Sequence, residues 1–328
     1  MLYRDNVSDI VKMVRDLGID HDVLTCITVV EGIAVNETPL RIGKGHGELG
    51  EVDLPVVKDH KRTVFIPASS LKGALRSFSE ALARGNGYNV CTPYAQHLCS
   101  FGAELLNLVL QKAITSSSIN DIVDYVVKEV DEIANRRLGE DLRNKVKEDL
   151  IAYFNEIKKA SEDREKLELL RKVLESYTPC TICRVFGNQV MASRITVFNM
   201  YPLEPIHTFV RTRTAIDRFR DAARSGTLFE YEYVPAGHRW KLRIELKNID
   251  LVLCRDSNDK SYSVCRLVTE LLRNLTTYGI SVGGMKSVGH GLLKLSPVET
   301  TVTVYRVKDF SLVKDKELKL SELLGMKS

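Results

Sequence analysis

The sequence predicts an α+β fold. Three observations carry that expectation. A β-branched run at residues 23–35 is followed by an amphipathic helix pattern from Pro67 onward, strand patterns return after residue 194, and a second amphipathic helix precedes a last short strand near Leu292–Leu295. The order strand, helix, strands, helix, strand is that of a ferredoxin-like α+β core.

Element by element, Val7, Ile10, Val11, Val14 and Leu17 share one face of an N-terminal helix, expected to dock rather than to anchor in a membrane. VLTCITVVEGIAV, residues 23–35, reads as a strand entering a glycine loop. Pro67-Ala-Ser-Ser-Leu-Lys-Gly-Ala-Leu-Arg76 puts serines at an N-cap, with Leu71, Leu75, Phe78 and Leu82 on one face and Gly85 and Gly87 as the stop. From 102 to 178 the pattern is helical: Ile122, Val123, Val126, Val127, Val130 and Ile133, then Leu142, Val146, Leu150, Phe154 and Ile157. This stretch is read as a helical insertion, with a separate helical domain as the alternative. Strands follow at 194–198, 208–212, 227–234 and 238–246, the last with Trp240, Leu242, Ile244 and Leu246 in strict alternation. Val264, Leu267, Val268, Leu271, Leu272 and Leu275 form the second helix face, and Gly279 to Gly291 a second glycine loop. The expected organisation is an N-terminal helical extension (1–21), a core (22–101 and 179–300), the insertion (102–178) and a C-terminal tail (301–328).

With 328 residues, 44% hydrophobic and 27% charged, the composition is that of an ordinary soluble globular protein. The net charge of +4 permits a nucleic-acid partner without demanding one. No apolar run approaches a membrane span, and the N-terminus is broken by Arg4, Asp5, Asp9, Lys12, Arg15 and Asp16, so neither a membrane segment nor a signal peptide is expected. The expected compartment is the cytoplasm. Seven cysteines in a reducing compartment argue against a disulfide framework and towards metal or core roles.

Gly45, Gly47 and Gly50 spell G-x-G-x-x-G, but the residues that follow, Glu51-Val-Asp-Leu-Pro55, favour extended chain, so no dinucleotide-binding helix starts there. The glycines of Gly43-Lys44-Gly45-His46 instead allow a ligand to approach the backbone. Ser69-Ser70-Leu-Lys72 matches S-x-x-K, yet neither S-D-N nor K-T-G occurs, which removes the serine-acyltransferase reading. Two hydroxyls at a helix start, with Lys72 and Arg76 one turn apart, make a phosphate seat. Arg211, Arg213, Arg218, Arg220 and Arg224, interleaved with Phe209 and Phe219, suit a backbone-and-stacking surface for single-stranded nucleic acid; a solvated charged hairpin is the alternative. Cys91-x7-Cys99 and Cys180-x2-Cys183 flank the insertion. A returning helical hairpin would bring them together around a structural zinc, with His97 as an alternative to Cys99; reduced core cysteines or a redox pair are the other readings.

Taken in order, Ile42-Gly43, Gly50-Glu-Val-Asp53-Leu-Pro-Val-Val-Lys-Asp59, Ile66-Pro-Ala-Ser-Ser-Leu-Lys-Gly73 with Arg76, Cys183-Arg-Val-Phe-Gly187, Thr212-Arg-Thr-Ala-Ile-Asp217 to Glu230, Gly237, and Gly283-Gly284-Met-Lys286-Ser287-Val-Gly-His-Gly291 resemble the RAMP superfamily of CRISPR-associated proteins. The resemblance is closest to the repeated backbone subunit of type III (Csm/Cmr-like) effector complexes. It departs from the family pattern at Ala68, where a glycine is usual, and does not cover residues 1–20, most of 102–178 or the C-terminal end.

The resemblance implies a modified RNA-recognition-motif core with a β-hairpin thumb near Arg213–Phe229. It implies copies stacked along a CRISPR RNA beside other RAMP subunits, and target single-stranded RNA paired with the guide. It places the family's catalytic aspartate at Asp53. A single carboxylate is a weak general base at neutral pH, so the expectation is a flipped nucleotide whose own 2′-hydroxyl attacks, oriented by Asp53 or by a divalent cation such as Mg or Mn. A guide-binding scaffold without cleavage is the alternative.

Overall fold

The computed structural model describes residues 2–43, 52–91, 98–116, 118–217, 219–223, 226–255 and 263–326. Along the chain, α1 (Leu2–Asp16) precedes the long strand β1 (Cys26–Asn36) and α2 (Ala68–Gly85). Five helices follow: α3 (Leu98–Thr115), α4 (Ile119–Arg137), α5 (Glu140–Lys159), α6 (Asp163–Ser176) and α7 (Thr181–Phe186). Then come β2 (Ile195–Val197), β3 (Tyr201–Pro202), β4 (Phe209–Arg213), β5 (Ile216–Asp217), β6 (Ala222–Ala223), β7 (Phe229–Tyr233) and β8 (Arg239–Lys247). The chain closes with α8 (Leu251–Arg255), α9 (Ser263–Thr277), β9 (Ile280–Ser281), β10 (Leu292–Leu295), β11 (Thr301–Lys308), β12 (Ser311–Lys319) and α10 (Leu320–Leu323).

These elements form two compact units, one of residues 1–24 and 83–194 and one of residues 25–82 and 195–328. The second unit holds the sheet. β1 pairs with β8 along its length on one edge; on the other it pairs first with β11 (Cys26–Glu31) and then with β10 (Ala34–Asn36). β8 continues to β2 and β3, β10 to β9, and β11 to β12, every pairing antiparallel. The strands β10-β1-β8-β2, with α2 and α9 as the two crossovers, give the βαββαβ order of a ferredoxin-like core, as the sequence predicts. Alternation explains the register. Trp240, Leu242, Ile244 and Leu246 of β8 are buried, and the Trp240 indole N–H donates to Asn36 Oδ1 at 2.9 Å. Residues 301–319, assigned to a tail by the sequence reading, form two strands of this sheet.

The helical unit has its own core. Ile10 and Val14 of α1 join Phe101, Leu105 and Val109 of α3, Ile122 and Val126 of α4, Leu150 and Phe154 of α5, and Leu170 of α6. Val146, Leu150, Phe154 and Ile157 make the buried stripe of α5 at helical spacing, whereas Leu142, in its first turn, is exposed. Ser118 caps α4 by accepting from the Asp121 amide at 3.2 Å.

One sequence expectation is corrected by the cysteines of the second unit. Cys254 of α8 and Cys265 of α9, eleven apart in sequence, form a disulfide, their Cα atoms 5.7 Å apart. The other five cysteines are free.

Candidate functional site

Four separated stretches of the second unit meet in one groove. After β1 the chain is held on three sides: Leu40 and Val234 exchange backbone bonds at 2.8 Å, Val57 donates to Ile42 O at 2.8 Å, and Gly284 donates to Arg41 O at 2.8 Å. Gly283 has to be glycine for this approach, since its φ is +86° and an added Cβ would stand 2.2 Å from the Arg41 carbonyl oxygen. The groove, about 540 Å³, is lined by Arg41, Gly43, Leu54, Ser70, Gly284 and Lys286, with Ala74, Ser77 and other small or apolar groups. Lys286 and Ser287 are exposed in a 3₁₀ turn (Lys286–Val288) that Met285 enters at φ 60°.

Ser70 reaches this groove from the first turn of α2, but not as the N-cap that the sequence suggested. The helix begins at Ala68, whose amide donates to Asn199 Oδ1 at 2.8 Å. A residue distant in sequence therefore caps it, and Ser69 and Ser70 sit inside the first turn. Ser69, Lys72 and Arg76 do not line the groove. Burial, and then the neighbouring Arg76 charge, push the Lys72 ammonium below its ordinary range. Arg76 Nε lies 3.0 Å from Glu80 Oε1.

Asp53, exposed, lies one residue before Leu54 of the groove wall. Its Oδ2 accepts the Glu230 amide of β7 at 2.8 Å. Leu54 bridges Tyr231 in parallel. Two residues on, the buried carboxylate of Glu232 accepts from Val56 N at 2.9 Å, Lys58 Nζ at 2.6 Å and Thr208 Oγ1. Burial alone would raise its pKa; the bonds from Lys58, Thr208 and Val56 outweigh burial and hold it below the usual carboxylate range.

β4 and β7 form a two-stranded hairpin with Arg211 opposite Tyr231 and Arg213 opposite Phe229. A smaller ladder, Ile216 with Ala223 and Asp217 with Ala222, continues towards its tip, where Phe219 and Arg220 are exposed. Strand alternation gives the hairpin two chemically different faces. On one, the Arg213 guanidinium stands 5.2 Å from the Tyr231 ring centre and Arg211 5.9 Å from that of Tyr233, while buried His290 meets both rings edge-on. Burial first, then the charges of Arg213, Arg211 and Arg41, hold His290 below the usual imidazole range, so it is neutral at pH 7. The other face carries Glu230 and Glu232 beside the Asp53 segment.

Among the residues expected at the site, the structure brings Gly43, Ser70, Gly284 and Lys286 into the groove, with Gly283 in its wall. It sets Arg211, Arg213 and Arg220 on the hairpin and Asp53 beside its strand β7. Lys44, Gly45, His46, Arg218, Arg224 and His97 lie outside the described residues. Sequence reading missed Arg41, Tyr231, Tyr233, Glu232 and His290. The signal for the tyrosines was the alternation Phe-Glu-Tyr-Glu-Tyr of residues 229–233, aromatic on one face and acidic on the other.

In the helical unit, Cys91, Cys99, Cys180 and Cys183 converge, with their sulfur atoms all within 4.8 Å of one another. Cys91 Sγ is 3.3 Å from Cys183 Sγ and 3.8 Å from Cys180 Sγ, and the Cys180 amide donates to Cys99 Sγ at 3.3 Å. The edge of a tetrahedron with metal–sulfur bonds of about 2.3 Å is roughly 3.8 Å, so the four thiols fit a metal ion. Among the described residues this is the one group of metal-ligating side chains so gathered.

Fold and groove together define a modified ferredoxin-like protein with a helical insertion and a β-hairpin arm. A family profile described as the RAMP superfamily matches residues 35–294. The chain belongs to that superfamily of CRISPR-associated, RNA-binding proteins. A comparison with curated proteins returned no match. Among the described residues no helix is long and apolar enough to cross a membrane.

Proposed function

We propose that this chain is the repeated backbone subunit of a type III CRISPR effector complex, stacked with copies of itself and other RAMP subunits along a CRISPR RNA in the cytoplasm. Target single-stranded RNA pairs with the guide and is cut at regular intervals beside Asp53. Base pairing supplies sequence specificity, so the protein needs only backbone and shape. The observation that carries the reading is the position of Asp53: an exposed carboxylate, tethered to the hairpin strand by the Glu230 amide and adjacent to a groove edged by Arg41, Lys286, Ser70, Gly43, Gly283 and Gly284.

In this reading phosphates of the guide lie against Gly43, Ser70, Gly284 and Lys286, while Arg211 and Arg213, braced on tyrosine rings, meet the backbone of the paired strands. A nucleotide turned out at the hairpin presents its 2′-hydroxyl to Asp53, which orients it along the line of attack on the adjacent phosphate. The 2′-hydroxyl oxygen bonds to phosphorus as its proton is lost, and the P–O bond to the 5′-oxygen of the next nucleotide breaks with protonation of that oxygen, leaving a 2′,3′-cyclic phosphate on the turned-out nucleotide and a 5′-hydroxyl on the next. A two-metal site needs several carboxylates, whereas this reading assigns one, Asp53, to the turned-out nucleotide, and a divalent ion such as Mg or Mn would be held chiefly by RNA. The thiolates of Cys91, Cys99, Cys180 and Cys183 would hold a structural zinc, clipping together the two ends of the helical insertion.

A second reading, a guide-binding scaffold without cleavage, draws on the same hydrogen bond, since an aspartate serving only the loop would also accept from Glu230. The test is the chemistry of the cut ends in the assembled complex. A 2′,3′-cyclic phosphate supports the mechanism; a 5′-phosphate product refutes it, and intact target despite tight binding favours the scaffold.

A further inference from the structure

We infer that Glu232 is a positioning residue that fastens the Asp53 segment to the hairpin strand β7, so that carboxylate and hairpin move as one body. The inference deepens the proposed role of Asp53 and rests on it.

The segment from Asp53 to Val56 lies beside β7 as a parallel neighbour one bridge long. Leu54 N donates to Glu230 O at 3.1 Å and Glu232 N to Leu54 O at 3.0 Å. In a regular parallel ladder the Glu230 amide would next meet the carbonyl of residue 52, and the Val56 amide the carbonyl of Glu232. Neither occurs. The Glu230 amide goes to the side chain of Asp53 at 2.8 Å, and the Val56 amide to the side chain of Glu232 at 2.9 Å. The exchange is reciprocal: at one end the loop's carboxylate takes the strand's amide, at the other the strand's carboxylate takes the loop's amide. Beyond the single backbone bridge at Leu54, the segment is thus held against β7 by two side chains, one of which is Asp53 itself.

Glu232 suits that role because it is committed in three directions. It is 6% exposed and also receives Lys58 Nζ, two residues beyond Val56, and Thr208 Oγ1, just before β4. One carboxylate therefore joins the loop, β7 and the foot of β4. Without it Lys58 loses its buried counter-charge, and the Val56 amide and Thr208 hydroxyl lose their acceptor. If the hairpin sets which nucleotide turns out, this latch sets where the Asp53 carboxylate stands relative to it.

The test compares Glu232→Ala, Glu232→Gln, Lys58→Met and Asp53→Ala in the assembled complex, reading target affinity, single-turnover cleavage, cut positions and amide exchange. For Glu232→Ala we expect target affinity within about twofold and faster exchange over residues 54–58. Cleavage should slow roughly 10- to 100-fold, as expected of a misplaced catalytic group, and cuts should spread to neighbouring phosphodiesters. Glu232→Gln, which keeps an oxygen acceptor, recovers much of both. Wild-type rate, cut positions and exchange in Glu232→Ala overturn the latch; so does a lower melting temperature with cuts still in register, which is the mark of a merely stabilising residue. If Glu232→Ala does not assemble, Lys58→Met decides, by the same spread of cuts and faster exchange or by their absence. Should Asp53→Ala cut like wild type, the role of Asp53 fails separately, and amide exchange alone decides whether Glu232 holds the loop.

Discussion

Gly283 and Glu232 show how much single residues carry here. A methyl group at 283 would collide with the Arg41 carbonyl and force a left-handed backbone on an ordinary residue. Gly283→Ala should cost about 1–3 kcal/mol, visible as a lowered melting temperature, and should weaken RNA binding by distorting the groove. The Glu232 carboxyl is depressed in the folded state, so its contribution is fully present above the unfolded value of about 4.3 and is lost as pH falls through the lower folded value. Melting measured down to pH 3 should therefore show an acid-sensitive component that Glu232→Gln lacks. At this scale the places of Ser70, Gly43, Gly283 and Gly284 in the groove, and of Asp53 beside it, were legible, because each sits in a short motif. Arg41, Glu232 and His290 were not: their roles come from partners distant in sequence, Gly284 for Arg41, Val56 and Lys58 for Glu232, and Tyr231 and Tyr233 for His290, which no local pattern encodes.

The β4–β7 hairpin is the element on which the site turns. Its cationic-aromatic face and its acidic, loop-bound face follow from simple alternation, but the alternation acquires meaning only when β4 is set against β7 in the observed register. Arg211→Ala and Arg213→Ala should each weaken guide binding and flatten its salt dependence by roughly one unit of log–log slope, measured by titration across salt concentrations. The elements themselves were largely legible, since helices α4, α5 and α9 and strand β8 declare their periods. The start of α2 was misjudged because its cap, Asn199, is distant in sequence. The disulfide between α8 and α9 escaped because spacing alone does not tell a pair of core cysteines from a bonded pair.

Over the whole molecule, charge and core are divided. The basic excess of the chain lies in the sheet unit; in the helical unit acidic residues slightly outnumber basic ones. This fits RNA contacts concentrated on the sheet unit. The helical unit has a core of its own, with the four thiols where the insertion leaves and returns. Elemental analysis of mildly prepared protein should find about one zinc per chain. Cys180→Ser with Cys183→Ser should remove it and lower helical stability, because metal binding to such a site is folding free energy; metal-free wild type with unchanged stability would contradict the assignment. The RNA-guided role itself is tested most directly by one comparison: cleavage of a guide-complementary RNA by the assembled complex with divalent metal, wild type beside Asp53→Ala. The account predicts a regularly spaced product ladder that vanishes in the variant while target binding persists. An unchanged ladder would contradict it and move the chemistry to another residue or subunit.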